Sequence, residues 1–298
     1  MRGAVIGKTL MYLFLVLAGL LFIYPLVYML LGSLATLADY QLRRYIPIPR
    51  TINLAGYEDL FGGTGELATA VQVTLKRVVW FVTWGLLVSL LAGYAFSRLR
   101  FAGRDTVFMI FLAGLAVPGM LISLPLYMLM VRFPLVGGNN ILGVGGQGLL
   151  NSWAALLVLG MVPIFSLFLM KQNMDMIPIE YEEAAIMDGA GLFTILFRIY
   201  VPMLKPAMAV IVVQTFIGVW NEYFMPLILV AGKTDLAPLA VALQRLIARE
   251  AIRGEGVFIP RFDLVFAGGT FMCLPPIILY VLMQRQFVQG LVGVGVRG

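Results

Sequence analysis

The chain has 298 residues, 61% hydrophobic and 12% charged, with a net charge of +6 and a mean hydropathy of +0.96. Soluble domains are about 45–50% apolar and about 25% charged, so this composition belongs in lipid, and a dispersed positive charge without basic blocks excludes a nucleic-acid partner. The absence of His and the single Cys273 exclude imidazole catalysis, His metal ligation, an internal disulfide and a Cys-cluster metal site.

The N-terminal MRGAVIGK precedes an apolar run from Thr9 to Leu31, and Ser33-Leu34-Ala35 follows in the manner of a signal-cleavage site. The run is about 22 residues long, past the 7–15 of a signal core and enough for the roughly 20 a bilayer requires, so it reads as a retained helix. Comparable runs fall at about 78–97, 107–131, 152–171, 207–231 and 264–284, which with the first, at about 10–32, makes six spans. Each must satisfy its backbone hydrogen bonds internally, so the predicted fold class is an all-α polytopic membrane protein. Pro25, Pro118, Pro125, Pro163, Pro226, Pro275 and Pro276 lie in or beside these runs. Neighbouring helices can satisfy the carbonyls that a proline frees. The prolines therefore read as kinks that either shape packing or line a path that opens and closes. No soluble domain or low-complexity tract interrupts residues 1–298, which read as one transmembrane domain.

Six crossings put both termini on one side, together with the connections 98–106 and 172–206. The 21 Lys and Arg residues divide almost evenly between the sides, so their count does not orient the chain. The cluster Arg98, Arg100 and Arg104 in a short connection favours the terminal side as cytoplasmic. The Gly-rich stretch 132–151, with Asn139 and Asn140, lacks the strand–turn–helix context of a nucleotide loop and reads as an external, turn-rich connection. Between Pro238 and Glu250, residues Leu239, Ala242, Leu243, Leu246 and Ile247 recur at helical spacing. They predict an amphipathic helix that lies on lipid or meets an external partner.

The segment from Pro178 to Pro206 carries a dense block of carboxylates between spans too apolar for water. Pro178 can open a helix, since a missing N–H costs nothing in a first turn, and Glu180, Glu182 and Glu183 then complement the helix dipole. Ala184 and Ala185 allow close approach, and Gly189 permits a sharp turn after Asp188. Leu192, Ile195, Leu196 and Ile199 share a face of a second helix, which Pro202 and Pro206 are expected to stop. The result is a helix–turn–helix projection on the polar side of the membrane, either a knob for a socket on another protein or a hairpin joining two spans.

The order E-A-A, two residues, D-G-A, eight residues, I-x-x-P in this segment resembles the cytoplasmic coupling loop of ABC-importer permeases of the carbohydrate, maltose/maltodextrin-like family. Glu183, Ala184, Ala185, Asp188, Gly189, Ala190, Ile199 and Pro202 match it. Further likenesses follow the chain from about residue 50: Asn53, Tyr57 and Phe61 after the first span, Ala92–Arg104 at the exit of the second, Trp220-Asn221-Glu222-Tyr223 in the fifth, and Gln284–Gly298 at the end. The family's Asn-Ser before the second span is replaced here by Val73-Thr74, which is expected to weaken any cap that pair makes.

The resemblance implies that this loop seats in a cleft of an ATPase subunit. It implies that, within the cytoplasmic tail 285–298, the stretch from Gln289 to Gly298, with Gln289, Gly290, Gly295 and Arg297, reaches between the ATPase subunits; the alternative is a disordered Gly-rich end. The implied partners are a second permease subunit, two ATPase subunits, an extracytoplasmic solute-binding protein, a sugar substrate and membrane lipid. ATP and Mg would sit on the ATPase subunits, with no cofactor or metal in this chain. The implied location is a bacterial or archaeal inner membrane, crossed several times, with both termini cytoplasmic. The motif G-x-x-x-x-G-K-[ST] is absent, so this chain is not expected to hydrolyse ATP or to act as an enzyme.

Glu222 lies within the fifth run, where an acid at a helix centre costs about 2.5–3.5 kcal/mol on insertion scales and should face the bundle or water. With Trp220 and Asn221 it either lines a sugar path or pairs with a neighbouring helix. A polytopic membrane enzyme and a non-transporting scaffold are the alternative readings of the whole chain.

Overall fold

A computed structural model describes residues 2–42, 45–62, 65–251 and 261–295. All regular structure among them is helical. In chain order the helices are α1 (Arg2–Gly32), α2 (Leu37–Leu42), α3 (Ala55–Phe61), α4 (Glu66–Arg98), α5 (Arg104–Ala113), α6 (Gly119–Val131), α7 (Trp153–Val158) and α8 (Ile164–Asp175). They continue as α9 (Glu180–Met187), α10 (Leu192–Ile195), α11 (Val201–Met203), α12 (Lys205–Trp220), α13 (Phe224–Leu229), α14 (Leu239–Ala251) and α15 (Phe262–Gly295).

Among the described residues three helices are long and apolar enough to cross a membrane: Ile6–Gly32, Glu66–Arg98 and Phe262–Gln284. Two bent pairs bring the number to five if each is one crossing: Arg104–Ala116 with Gly119–Val131, bent by 103°, and Leu192–Met203 with Lys205–Trp220, bent by 77°. The structure differs from the sequence expectation at three breaks. Val117 is pushed into an extended conformation ahead of Pro118, because the proline ring clashes with a helical residue before it. The run 152–171 is two helices of 6 and 12 residues, too short singly for a bilayer, separated where Leu159 is extended and Gly160 adopts φ +88°. The run 207–231 breaks at residues 221–223, and Pro226 explains the place, since its ring excludes a helical carbonyl at Glu222, four residues back. Pro25, Pro125 and Pro275-Pro276 sit inside continuous helices.

The chain divides into two compact units, Met1–Leu67 with Ala242–Pro275, and Ala68–Val241 with Pro276–Gly298. In the first, aromatic contacts join α1, α2 and α15: Tyr28 meets Phe266 edge-on at 5.7 Å and Tyr40 stacks on Phe266 at 5.8 Å. Arg261 donates to Asp59 at 2.7 Å and grips both oxygens of Asp263, tying α3 to the start of α15. The α2 start is a reciprocal capping box: Thr36 donates its N–H and hydroxyl to Asp39 Oδ2 at 3.1 and 2.8 Å, and the Asp39 N–H reaches Thr36 Oγ1 at 3.4 Å. The bonds from Thr36 hold the Asp39 carboxyl below its ordinary value of 3.8. A depressed folded-state pKa contributes stability that is present above 3.8 and lost as pH falls through the lowered value. Asp39→Ala is therefore expected to lower the thermal midpoint at pH 7, with the gap to wild type narrowing once the pH drops below 3.8. Thermal unfolding of both proteins across that range measures it.

The second unit has an apolar core at each end. One gathers Leu90, Tyr94, Met170, Met174, Leu196 and Tyr200 from α4, α8 and the segment after α10. The other gathers Val73, Met130, Leu156 and Leu229 from α4, α6, α7 and α13, with Leu149 of the Gly-rich connection and Val230 just after α13. In the Gly-rich connection the buried Asn139 donates to the carbonyls of Val131 and Phe133 at 2.8 and 3.0 Å and accepts from the Gly146 N–H at 2.8 Å, so one side chain replaces a missing backbone ladder. The amphipathic helix predicted from Pro238 to Glu250 is present as α14. Leu239 at its start is buried rather than laid on lipid, and its N–H donates to Thr74 Oγ1 at 2.8 Å. Val73 and Thr74 lie inside α4 rather than at its start, and the Thr74 hydroxyl takes up a free N–H at the start of α14 instead.

Candidate functional site

The segment 178–206 folds as a short helix, a glycine turn and a second helix. Glu180, Glu182 and Glu183 occupy the first turn of α9, where free N–H groups favour negative charge. At its end Gly189 adopts φ +79°. The Gly189 N–H bonds the Ile186 carbonyl and the Ala190 N–H bonds the Ala185 carbonyl, each at 2.9 Å, the paired pattern of a Schellman stop. Ala185 and Ala190 pack on the core, Ile199 is half-buried, and Glu183, Ala184, Asp188, Gly189 and Pro202 are exposed.

The second helix departs from expectation. Pro202 does not stop it but rides in the first turn of α11, where a missing N–H is tolerated; the helix ends at Met203 and turns by 77° into α12, whose first turn holds Pro206. Residues 196–200 open into a π turn just ahead of Pro202, and the wider turn accommodates a proline ring that would strike the carbonyl of residue 198. Ile195, Leu196 and Tyr200 are buried, whereas Leu192, expected on the same face, is 43% exposed. Tyr181, Ile186, Met187, Phe193 and Phe197 are also exposed, and the last two rings stack at 6.5 Å. This apolar surface on a polar loop is the kind that marks a protein contact.

Beneath that surface lies a buried carboxylate. Glu182 accepts from the hydroxyls of Tyr94 on α4 and Tyr200 on the π turn, each at 2.6 Å. Arg98, at the end of α4, holds its guanidinium 5.3 Å from the Tyr200 ring centre and donates to the Met174 carbonyl at 2.7 Å and to that of Ile177. Its Nε stands 3.8 Å from the Glu182 carboxylate. Sequence reasoning placed Glu182 only as a dipole partner. The available signal was its spacing: Glu182 and Ala185 are three residues apart on α9, so both face inward.

Toward the other end of the unit, Glu222 sits in the α12–α13 break and is ion-paired with Arg77 of α4. The Arg77 side chain is 2% exposed and that of Glu222 is 36% exposed. Of the two readings of Glu222, the pairing with a neighbouring helix is the one the geometry displays. Trp220 is buried and stacks on Phe216 at 5.5 Å, while Asn221 is exposed and its amide donates to the Ile217 carbonyl at 3.0 Å. The three residues are adjacent but do not converge on one open surface. Arg77 falls just outside the apolar run that begins at about 78, whereas α4 begins at Glu66. A lone acid at membrane depth was the signal that a basic partner existed. Gln289, Gly290 and Gly295 lie on the last turns of α15, and Arg297 falls outside the described residues.

Among the described residues, membrane-length apolar helices and an exposed helix–turn–helix held by a buried acid define a polytopic membrane protein with a surface suited to a protein contact. Residues 85–293 match the family model described as the binding-protein-dependent transport system inner membrane component, and the chain belongs to that family. It is 29% identical over 284 residues to a lactose transport system permease protein of Rhizobium radiobacter, covering 95% of this chain and 94% of that one. It is 29% identical over 302 residues to a maltodextrin transport system permease protein of Bacillus subtilis, covering 98% and 97%. Its fold is similar to that of a chain in the crystal structure of a bacterial ABC transporter involved in import of the acidic polysaccharide alginate, with a TM-score of 0.76 and 24% identity over 96% of this chain and 98% of that one.

Proposed function

We propose that this chain is the permease subunit of an ATP-driven importer whose cargo is a sugar or oligosaccharide. It would form half of the translocation path beside a second permease subunit. Two ATPase subunits, carrying ATP and Mg, would drive it, and an extracytoplasmic binding protein would deliver the cargo. Both termini and the loop 178–206 would face the cytoplasm, and this chain would hydrolyse nothing itself. The observation that carries the reading is the loop: a rigid knob with an exposed apolar rim, Tyr181, Ile186, Met187, Phe193 and Phe197, over a buried acid. Its exposed motif residues Glu183, Asp188 and Gly189 would meet the ATPase, and the α15 tail, Gln289 to Arg297, would reach the same interface. The relatives named for lactose and maltodextrin transport support the cargo class.

The test is uptake of labelled lactose, maltodextrins and arabinooligosaccharides by cells with and without this chain. Loss of uptake of one cargo, restored by supplying the chain again, is the expected result. Unchanged uptake of all of them would refute the sugar assignment.

A further inference from the structure

Of the three acids in the first turn of α9, Glu182 alone is buried, and Glu180 and Glu183 are exposed. Its carboxylate is the meeting point of three elements: α9 itself, α4 through Tyr94, and the π turn through Tyr200. The two tyrosine rings touch edge to face at 5.6 Å, and Arg98 from the same α4 end lies over Tyr200. Arg98 also ties α4 to the Met174 carbonyl near the end of α8 and to that of Ile177 just beyond it.

What else holds α9 in place is slight. Its other core contact is Ala185, while Ile186 and Met187 are 55% and 87% exposed. Two methyl-sized contacts, Ala185 and the following Ala190, give little resistance to sliding. Hydrogen bonds to a carboxylate are directional and roughly twice as strong as neutral ones, and a low-dielectric surrounding strengthens them further. The joint, not the apolar packing, therefore fixes the register of α9 on α4.

We propose that Glu182, with Tyr94 and Tyr200, is the positioning device that makes α9 and the cytoplasmic end of α4 move as one body, so that a push on the loop reaches the second span. This rests on the permease reading above. Tyr94 and Tyr200 supply the two donors, and Arg98 holds the α4 end against α8. A helix held by Ala185, Ala190 and the preceding Ile177, without directional bonds to α4, would rock under the same push.

The experiment uses the assembled transporter with Cys273→Ala, spin-labelled at Glu180→Cys and Leu99→Cys, both exposed positions outside the joint and outside the rim offered to the ATPase. Double electron–electron resonance reads the α9-to-α4 distance with and without a non-hydrolysable ATP analogue and Mg. With the joint intact the distribution stays narrow and unmoved by nucleotide. Tyr94→Phe/Tyr200→Phe keeps both rings and removes both donors. In that variant the nucleotide is expected to broaden and shift the distribution, a response that a merely structural role would not produce. The same distribution in variant and parent, with nucleotide bound, overturns the proposal. If the double variant does not assemble, Tyr200→Phe replaces it, and the same two outcomes support or overturn the proposal. A parent complex that recruits no ATPase overturns the permease reading itself, which separates the two failures.

Discussion

Replacing Gly189 by Val is expected to leave the transporter assembled and hydrolysing ATP while uptake per ATP falls about tenfold. The reason is conformational rather than steric. A Cβ at Gly189 meets nothing within 4 Å, but the residue stands at φ +79°. An L-residue pays about 1–2 kcal/mol there, most for a β-branched side chain, and about 1.4 kcal/mol corresponds to a factor of ten. The Gly189 and Ala190 N–H bonds that close α9 depend on that φ, so the turn would reopen and α10 would leave its angle to α9. Asn tolerates the left-handed region, and Gly189→Asn should retain most coupling. Parallel assays of hydrolysis and uptake on both variants decide the matter. Val coupling as well as Asn would show that the turn does not transmit force.

Glu222→Leu is expected to destabilise the chain strongly, and adding Arg77→Met should restore most of the loss. Arg77 is nearly fully buried, and its Nε and Nη1 already find no hydrogen-bond partner among the described residues. Removing Glu222 leaves that charge uncompensated, which costs about 3–5 kcal/mol when one member of a buried pair is deleted, while an apolar replacement of both is often neutral. The 36% exposure of Glu222 places the expected value at the lower end, about 3 kcal/mol. For a chain of this size that is a fall of roughly 10 °C in thermal midpoint, at about 2–4 °C per kcal/mol. Thermal unfolding in detergent of the two single variants and the double gives the coupling directly. Additive losses would show that the pair carries no stability of its own.

These two sites mark where the sequence spoke and where it was silent. The helix–turn–helix of residues 178–206 was legible because its signals are local: acids at a helix start, a glycine at a helix stop, small residues on one face. The fate of each proline was not. Pro25, Pro125 and Pro275-Pro276 ride inside helices, while Pro118, Pro163 and Pro226 stand at breaks. Whether a helix survives a proline depends on partners for the freed carbonyl and on the residues beside it. Gly160 at φ +88° eases one break, and the Asn221 amide closes the helix before another. The Glu182 joint was hidden for a related reason: Tyr94, Glu182 and Tyr200 meet only through packing of segments far apart in the chain. Arg77 was set aside because a charge lowers the local hydropathy and draws the boundary of a span inward, although α4 continues eleven residues further, to Glu66.

The most direct test of the central reading is an affinity pull-down of this chain from its native membrane in mild detergent, with the partners identified by mass spectrometry. Recovery of a second permease, an ATPase and a binding protein is the predicted result, and recovery of the ATPase should fail when Phe193 and Phe197, on the exposed rim of the loop, are both changed to Asp. Recovery of the chain alone, across a range of detergents, would contradict the account and turn it toward a scaffold or a membrane enzyme.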